Sequence, residues 1–411
     1  MLADNAPARK SVDRPARPLR GRGIMQGMQI ESLRLRLRAL GAKPLHEERL
    51  LRHWARALPP QAGRRRLDDF LPADVRQALP ALQAELAALV TLHSAHAGAD
   101  GGERLLVQLA DGQTVESVLL PRDGLCVSTQ VGCAVGCVFC MTGRSGLARQ
   151  LGSAEIVAQV ALARTRRSVS KVVFMGMGEP AHNLDAVLEA IDLLGTAGGI
   201  GHKNLVFSTV GDARVFERLP RGRVKPALAL SLHSTQAARR AQLLPRAPRI
   251  EPAELVAQAE RYARDTGYPV QYQWTLLQGI NDGEDEIDGI VRLLAGRYAV
   301  MNLIPYNRVA GLPFERPDGE RAAACSPSCA ARPRRTWTAA AASCAPARCS
   351  RWPSRPATAR LHPRARRVAG EPAAWLAHGV SPVAGRGRWR TPPGHSAPAA
   401  PESRRARAGL P

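Results

Sequence analysis

Three closely spaced cysteines are the residues of this chain with the clearest capacity for chemistry. Cys133, Cys137 and Cys140 follow a CxxxCxxC spacing on one short segment, which also contains Gly132 and Gly136. Three thiolates on one loop can bind three irons of a [4Fe–4S] cluster, and the glycines suit a tight loop around it. The fourth iron then has no protein ligand, so a small molecule can chelate it.

A zinc site is the alternative for these cysteines. Structural zinc usually has four nitrogen or sulfur ligands. The loop supplies three, and Cys126 is the only other cysteine before residue 325. The pattern therefore favours a cluster whose open iron binds S-adenosylmethionine (SAM), as in radical SAM enzymes. An electron from such a cluster cleaves SAM to a 5′-deoxyadenosyl radical, so the cofactor supplies the chemistry and the protein positions it.

The elements that must position this loop alternate between strand and helix from Cys126 onward. Apolar runs occupy residues 172–175, 205–207, 227–232, 270–277 and 300–304, and helical patterns occupy 153–164, 184–194 and 252–264. Continuous apolar runs are typical of buried parallel strands, which predicts an α/β fold with a complete or partial β/α barrel.

Polar residues follow each of these predicted strands. They are Gly178-Glu179, Ser208-Thr209, Ser231 with His233, Asn281-Asp282, and Asn307. In barrels the chemistry gathers at the carboxyl ends of the strands, so these residues are candidates for one shared site. The alternative is that they are helix caps or turn residues. That alternative suits Asn281-Asp282 and Ser153, and it suits Glu179 less well.

Composition indicates the partners and the compartment. The chain has 411 residues and a net charge of +23, with 58 basic and 35 acidic residues, which favours a polyanionic partner. Only five basic residues are lysines, so the arginine bias partly reflects coding composition. Cysteines in a metal-type motif predict a reducing compartment, hence the cytoplasm. We expect no membrane association, because the most apolar helical stretch, residues 81–92, is too short to span a bilayer.

The remaining segments define the predicted domain organisation. Residues 1–28 form a disordered basic extension without the apolar core of a secretory signal. Residues 29–98 are predicted to be a basic helical domain, either a solvated surface or an RNA-docking domain. Residues 99–122 are a β-hairpin linker with an Asp111-Gly112 turn, residues 123–319 are the barrel, and residues 320–411 are a disordered tail.

Five motifs together resemble the RlmN/Cfr family of radical SAM RNA methyltransferases. They are CVSTQVGCAVGCVFC (126–140), GMGEP (176–180), FSTVG (207–211), LSLH (230–233) and NLIPYN (302–307). The motifs occur in the family's order, and the resemblance covers about residues 29–318. The resemblance implies a partial (β/α)6 barrel that methylates carbon 2 of adenine in 23S rRNA and tRNA, or carbon 8 as in Cfr. It also implies a monomer and an electron donor such as flavodoxin.

The resemblance implies a role for each matching position. The cluster ligands would be Cys133, Cys137 and Cys140. The SAM-binding residues would be Gly178, Glu179, Ser208, Ser231, Leu232, His233 and Asn307. Glu116 would accept a proton, and Cys126 would help to resolve a covalent RNA adduct. From the residues alone, Cys126 is instead a buried structural thiol.

One family feature is missing from this chain. The family carries a methyl-accepting cysteine in a Gly-Gly-Cys-Gly-Gln-Leu context near its C-terminus, and this sequence has no such motif. From residue 320 to residue 411 there is no Lys, Asp, Asn, Gln, Phe, Tyr, Ile or Met. Such a composition predicts disorder, and it leaves a protein that binds SAM and RNA without transferring methyl groups as an alternative function.

A frameshift is our hypothesis for this tail. A family-like ending encoded by GC-rich codons and read one nucleotide late gives residues 325–344, with the catalytic cysteine codon split between Ala340 and Ala341. The tail cysteines Cys325, Cys329, Cys344 and Cys349 would then be accidental. A basic RNA-binding tail and a second metal site at Cys325 and Cys329 are the rival interpretations.

Overall fold

The computed structural model describes residues 27–59, 61–62, 66–309 and 311–318. The predicted tail, and the extension before residue 27, lie outside the described residues. The helices are α1 (Ile30–Ala39), α2 (Pro44–Ala55), α3 (Ala73–Ala88), α4 (Ser153–Arg164), α5 (Leu184–Gly195), α6 (Ala213–Arg218), α7 (Ala237–Leu243), α8 (Pro252–Thr266) and α9 (Glu284–Leu294). Within the described ranges, no helix has the length and apolarity needed to cross a membrane.

The strands form one large sheet and one small sheet. They are β1 (Val90–Ala97), β2 (Glu103–Leu109), β3 (Thr114–Leu119), β4 (Gly124–Cys126), β5 (Gln130–Gly132), β6 (Leu147–Gln150), β7 (Lys171–Phe174), β8 (Leu205–Thr209), β9 (Ala227–Ser231), β10 (Val270–Leu276) and β11 (Ala299–Pro305). The large sheet has the order β1-β2-β3-β4-β7-β8-β9-β10-β11, and β5 pairs with β6.

Six strands of the large sheet are parallel and follow the order of the chain. They are β4, β7, β8, β9, β10 and β11, and helices connect the later ones. This arrangement confirms the predicted partial (β/α)6 barrel. The apolar runs chosen from the sequence coincide with β7 to β11, because strands covered on both faces need apolar side chains throughout.

The two faces of the barrel sheet carry different side chains. Phe174 and Phe207 face the helices in the main hydrophobic core. The inner face carries smaller side chains, and one layer of it runs in register from Val118 through Cys126, Val173 and Val206 to Ala227. Successive side chains alternate between faces, so Ser208 and Ser231 share the inner face.

The helical prediction for residues 29–98 is wrong at its C-terminal end. Residues 90–97 form β1, which pairs antiparallel with β2 at the edge of the sheet. The helical pattern ends at Ala88, and β-branched Val90 and Thr91 start the strand. Pairing with the neighbouring hairpin decides the conformation of this segment. The hairpin itself, β2 and β3 around Asp111-Gly112, matches the prediction.

The helices α1 to α3 pack on the barrel. One hydrophobic cluster extends from Ile30 in α1 to Leu303 in β11. The Ile30 N–H donates a hydrogen bond of 2.8 Å to Ser153 Oγ at the start of α4. Apolar side chains of the helical region are thus buried in the same core as the barrel, so this region depends on the barrel for its stability.

The three arginines of α1 are engaged in ion pairs. Arg36 contacts Glu85 at 2.7 Å, and Arg38 contacts Glu47 at 2.8 Å. Arg34 lies 3.5 Å from the same Glu47 carboxylate, which is fully buried. These pairs link α1 to α2 and α3, so much of the positive charge that the sequence places on this helix is neutralised within the protein.

Candidate active site

A short hairpin presents the three cysteines. β5 and β6 follow β4 in the chain and pair antiparallel. The cysteine loop connects β5 to β6. Gly132 ends β5 with a φ of +79°, and a Cβ atom there would lie 2.0 Å from the Gly146 carbonyl oxygen. The same oxygen accepts a hydrogen bond of 2.9 Å from the Cys133 N–H. The loop therefore requires glycine at residue 132, and the hairpin fixes the backbone position of Cys133.

The thiols of the cysteine loop lie close enough to interact. All three are half-buried, and the Cys137 thiol interacts electrostatically with Cys133 and Cys140. Burial raises the pKa of Cys133 to about 11, although the N–H groups of Val135 and Gly136 oppose this shift. Burial also raises the pKa of Cys137 well above its usual value. Metal binding must therefore release protons from these thiols.

The three thiols lie on a curved loop and are candidate ligands for a metal centre. In the described part of the chain, no group of three or more His, Cys, Asp or Glu side chains is arranged to hold one metal ion. A cluster spreads its thiolates over different irons, so its ligands need to surround a larger volume. The positive φ of +65° at Gly136 allows the loop to curve between Cys133 and Cys137.

A segment that follows the barrel strand β9 holds the cysteine loop from the other side. The Val138 N–H donates to the Leu243 carbonyl of α7 at 3.1 Å. Beyond α7, the Arg246 N–H donates to the Val135 carbonyl at 3.3 Å, and the Arg246 guanidinium donates to the Ala134 carbonyl at 2.9 Å. The loop is thus hydrogen-bonded to α7 and to the residues after it.

Glu179 lies beside this loop at the carboxyl end of β7. Gly178 has a φ of +105°, and a Cβ atom there would lie 2.6 Å from Gln130. The Gln130 side chain accepts the Glu179 N–H at 2.8 Å and donates to Gln150 at 2.8 Å. Because Gln130 and Gln150 belong to β5 and β6, one hairpin positions both the cysteines and Glu179.

The Glu179 carboxylate is buried among hydrogen-bond donors. It accepts the N–H groups of Ala181 at 3.2 Å and Val210 at 3.1 Å, together with the Thr209 hydroxyl. Burial raises its pKa to about 7 in spite of these donors. A cation beside Glu179 favours its charged form. The Arg240 guanidinium interacts with this carboxylate electrostatically, and an ammonium group bound beside it would add to that effect.

His233 follows β9 and faces the cysteine loop. Its ring packs edge-on to Phe139 with 5.0 Å between ring centroids, and its Nδ1 accepts the Thr275 N–H at 2.9 Å. Burial, aided by the charge of Arg240, lowers the pKa of His233 to about 3. The imidazole is therefore neutral with its proton on Nε2. Its φ of +57° is strained for a non-glycine residue, which is common at functional sites.

The Asn281 side chain supports this strained turn. It donates to the His233 carbonyl at 2.8 Å and accepts the Leu277 N–H at 2.8 Å. Asn281 is buried and bonded on all sides to backbone. The sequence left Asn281 open as either a site residue or a turn residue, and its hydrogen bonds favour the turn residue.

The other sequence candidates occupy different positions around the barrel. Leu232 packs in the main core, so only its backbone can reach a ligand at the strand ends. Asn307 is half-buried two residues after β11. Glu116 shares the inner face with Cys126, one layer nearer the carboxyl ends of the strands, and pairs with Arg104 at 3.2 Å. The structure thus brings Glu179 and His233 to the cysteines, whereas Glu116 is a half-buried residue of β3 that is paired with Arg104.

A buried ion triad that the sequence did not reveal anchors the cysteine hairpin. Arg149 in β6 contacts Asp111, in the turn between β2 and β3, at 2.6 Å and Glu155 in α4 at 2.9 Å. Arg149 and Glu155 are almost fully buried. The triad therefore links β6 to the turn between β2 and β3 and to α4. It fixes the strand at which the cysteine loop ends.

Arg149→Met is expected to lower the free energy of unfolding by about 3–5 kcal/mol, because it leaves the Glu155 carboxylate buried without its partner. Urea denaturation of the metal-free protein measures this change. The control Arg223→Met removes an exposed ion pair with Asp192 and should cost less than about 1 kcal/mol. Equal costs for the two variants would contradict the anchoring role of Arg149.

Comparison with known proteins places this site in a family context. Residues 127–294 match the model of the radical SAM superfamily. The chain is 76% identical over 297 residues to a protein of Methylibium petroleiphilum described as "Probable RNA methyltransferase", covering 72% of this chain and 84% of that protein. A protein of Leptothrix cholodnii with the same description is 73% identical over 297 residues, covering 72% and 86%.

A solved structure gives the same result for the fold. The crystal structure of a radical SAM methyltransferase from Sphaerobacter thermophilus is similar with a TM-score of 0.63 and 33% sequence identity. The match covers 76% of this chain and 94% of that protein. The superfamily match begins one residue after Cys126, so it contains the cysteine loop, Glu179 and His233.

Proposed function

Because this chain belongs to the radical SAM methyltransferase family, we propose that it binds a [4Fe–4S] cluster and SAM and methylates RNA. The observation that carries this proposal is the grouping of three half-buried thiols with Glu179 and His233 at the carboxyl ends of the barrel strands. When bound, the cluster supplies the electron that cleaves SAM. The protein itself binds, orients and protects the reactants.

Individual residues have distinct tasks in this proposal. Cys133, Cys137 and Cys140 hold the cluster. Glu179 accepts hydrogen bonds from the amine of SAM, whose positive charge favours the charged form of the buried carboxylate. The neutral imidazole of His233 offers its Nε2–H as a donor. Gly178, Ser208, Ser231, Asn307 and the backbone of Leu232 complete the SAM site.

RNA is the proposed substrate class. Two relatives, 76% and 73% identical over 297 residues, are described as probable RNA methyltransferases. We propose adenine carbon 2 in 23S rRNA and tRNA as the target, with Glu116 as proton acceptor and Cys126 as the resolving thiol. Because Arg34, Arg36 and Arg38 are paired with carboxylates, α1 is a weaker RNA contact than the sequence predicts.

The cellular setting follows from the same proposal. The enzyme acts as a monomer in the cytoplasm, where an electron donor such as flavodoxin reduces the cluster. Two other functions remain in competition. One is methylation at adenine carbon 8, which uses the same motifs. The other is SAM and RNA binding without methyl transfer, which the missing Gly-Gly-Cys-Gly-Gln-Leu motif favours.

The test uses 23S rRNA fragments and tRNA with SAM carrying a labelled methyl group. A chain with a family-like C-terminus restored should yield 2-methyladenosine after digestion to nucleosides and mass spectrometry. 8-Methyladenosine would select the Cfr-like alternative. Labelled nucleosides other than methyladenosine would refute adenine as the target.

Glu179→Ala should weaken SAM binding by about 1–3 kcal/mol, since it removes a charge-assisted hydrogen bond to the SAM amine. This corresponds to about 5- to 150-fold in Kd, measured by equilibrium dialysis on the anaerobic, cluster-loaded protein. The iron content should stay unchanged. Glu254→Ala, which removes an exposed glutamate on α8, is the control. If both variants bind SAM like the wild type, Glu179 does not contact it.

A further inference from the structure

Arg240 of α7 is a buried cation beside the proposed cluster site. Its guanidinium donates to the backbone carbonyls of Val210, after β8, and Ser231, at the end of β9, with a distance of 3.2 Å to Ser231. The residue is 4% exposed, and its Nε has no hydrogen-bond partner among the described residues. Neutral carbonyls do not balance a formal charge, so burying this guanidinium is costly unless an anionic group compensates it.

The groups that can compensate it belong to the site. The Arg240 guanidinium interacts electrostatically with the Cys137 thiol and the Glu179 carboxylate. One residue connects these side chains: the Val210 N–H donates to Glu179 at 3.1 Å, while the Val210 carbonyl accepts from Arg240. Arg240 therefore lies where the end of β8 meets the acidic group of the site.

The helix that carries Arg240 also holds the cysteine loop. Leu243, three residues further along α7, accepts the Val138 N–H at 3.1 Å. Val138 lies between Cys137 and Cys140. The position of Arg240 is thus fixed relative to the cysteines through α7 and relative to the strand ends through its guanidinium. A positive charge held this rigidly next to the thiols acts on whatever charge they carry.

Charge near an iron–sulfur cluster changes its reduction potential. Three thiolates and Glu179 concentrate negative charge, and reduction adds one further electron from an external donor. A nearby fixed cation stabilises the reduced form more than the oxidised form, because the reduced form carries one more negative charge. Arg240 can exert this effect in a buried environment where water screens it weakly.

We propose that Arg240 is a positioning residue whose buried charge raises the reduction potential of the cluster held by Cys133, Cys137 and Cys140. This inference rests on the proposed function, since it requires the cluster. Arg240 touches neither RNA nor the reacting carbon in this account. It makes the one-electron reduction of the cluster by an external donor more favourable.

The test is a redox titration of the full chain, reconstituted with iron and sulfide under anaerobic conditions and followed by electron paramagnetic resonance. At the wild-type midpoint potential, Arg240→Met should lower the ratio of reduced to oxidised cluster about tenfold, equivalent to about 59 mV for one electron. Arg240→Lys keeps the charge and should stay within about twofold of the wild type. The exposed control Arg223→Met should leave the ratio unchanged.

The possible results separate this inference from the proposed function. A wild-type potential in Arg240→Met with full iron content overturns the inference alone. Loss of the cluster from both Arg240→Met and Arg240→Lys also overturns it, because Arg240 would then be structural. A wild-type protein that takes up no iron refutes the proposed function, and the inference fails with it.

Discussion

Cys137→Ala is expected to abolish cluster binding. The wild-type protein, purified and reconstituted without oxygen, should carry about four irons and show the charge-transfer absorption of a [4Fe–4S] centre. Cys137 is the middle one of the three proposed ligands and interacts with both neighbouring thiols, so its loss removes one of the three protein ligands that the proposal provides. Iron and sulfide analysis together with the absorption spectrum measure the change.

Cys126→Ala is the matched control for this variant. Cys126 lies on the inner face of the sheet, in register with Val118 and Val173, and outside the cysteine loop. Its substitution should leave the iron content and the absorption spectrum unchanged, because the role proposed for Cys126 is to resolve the RNA adduct and not to bind the cluster. Zinc at full occupancy in the wild-type protein, without iron after reconstitution, would contradict the assignment of the loop.

The chain as written is expected to cleave SAM and to transfer little or no methyl to RNA. Cleavage needs the cysteine loop and the SAM site, which lie before residue 319, whereas transfer needs the family's C-terminal cysteine. A one-nucleotide correction near the codon for Gly319 should restore a Gly-Gly-Cys-Gly-Gln-Leu ending. Methyladenosine formation should then rise from background to a readily measured level.

Two parallel assays measure this difference on the two chains. 5′-Deoxyadenosine reports cleavage, and labelled methyladenosine in digested RNA reports transfer. The frameshift hypothesis predicts equal cleavage and unequal transfer. If the uncorrected chain methylates RNA as well as the corrected chain, the hypothesis is refuted, and a tail cysteine such as Cys344 or Cys349 must carry the methyl group.

The barrel was predictable because strands that are buried on both faces of a sheet appear in the sequence as continuous apolar runs. The apolar runs at residues 172–175 and 205–207 became β7 and β8, and the helix predicted over residues 153–164 coincides with α4. The segment at residues 90–97 was not predictable in this way. Its conformation depends on pairing with β2, a tertiary contact that lies outside the segment itself.

The candidate site was predictable where chemistry leaves a motif. The cysteine spacing, the GMGEP motif and the LSLH motif marked residues that the structure brings to one end of the barrel. The LSLH motif did not show which of its side chains face the site. Leu232 packs in the main hydrophobic core, whereas Ser231 lies on the inner face of the barrel sheet. A motif identifies a segment, whereas the strand register decides which side chains face the site.

The residues that hold the site together carried no such signal. Arg240 belongs to a short polar helix, and an arginine there is usually solvated; only the fold buries it under β8 and β9. Arg149 finds its partners 38 residues earlier and 6 residues later in the chain. Such charge pairs follow from tertiary packing, which composition and periodicity do not contain.

If this barrel is a radical SAM centre, as we claim, the reduced protein must form 5′-deoxyadenosine from SAM. The anaerobically reconstituted chain is reduced with dithionite, given SAM, and analysed by liquid chromatography and mass spectrometry. We predict 5′-deoxyadenosine from the wild type and none from Cys137→Ala under the same conditions. Absence of 5′-deoxyadenosine from a wild-type protein that carries a full, reduced [4Fe–4S] cluster and bound SAM would contradict the claim.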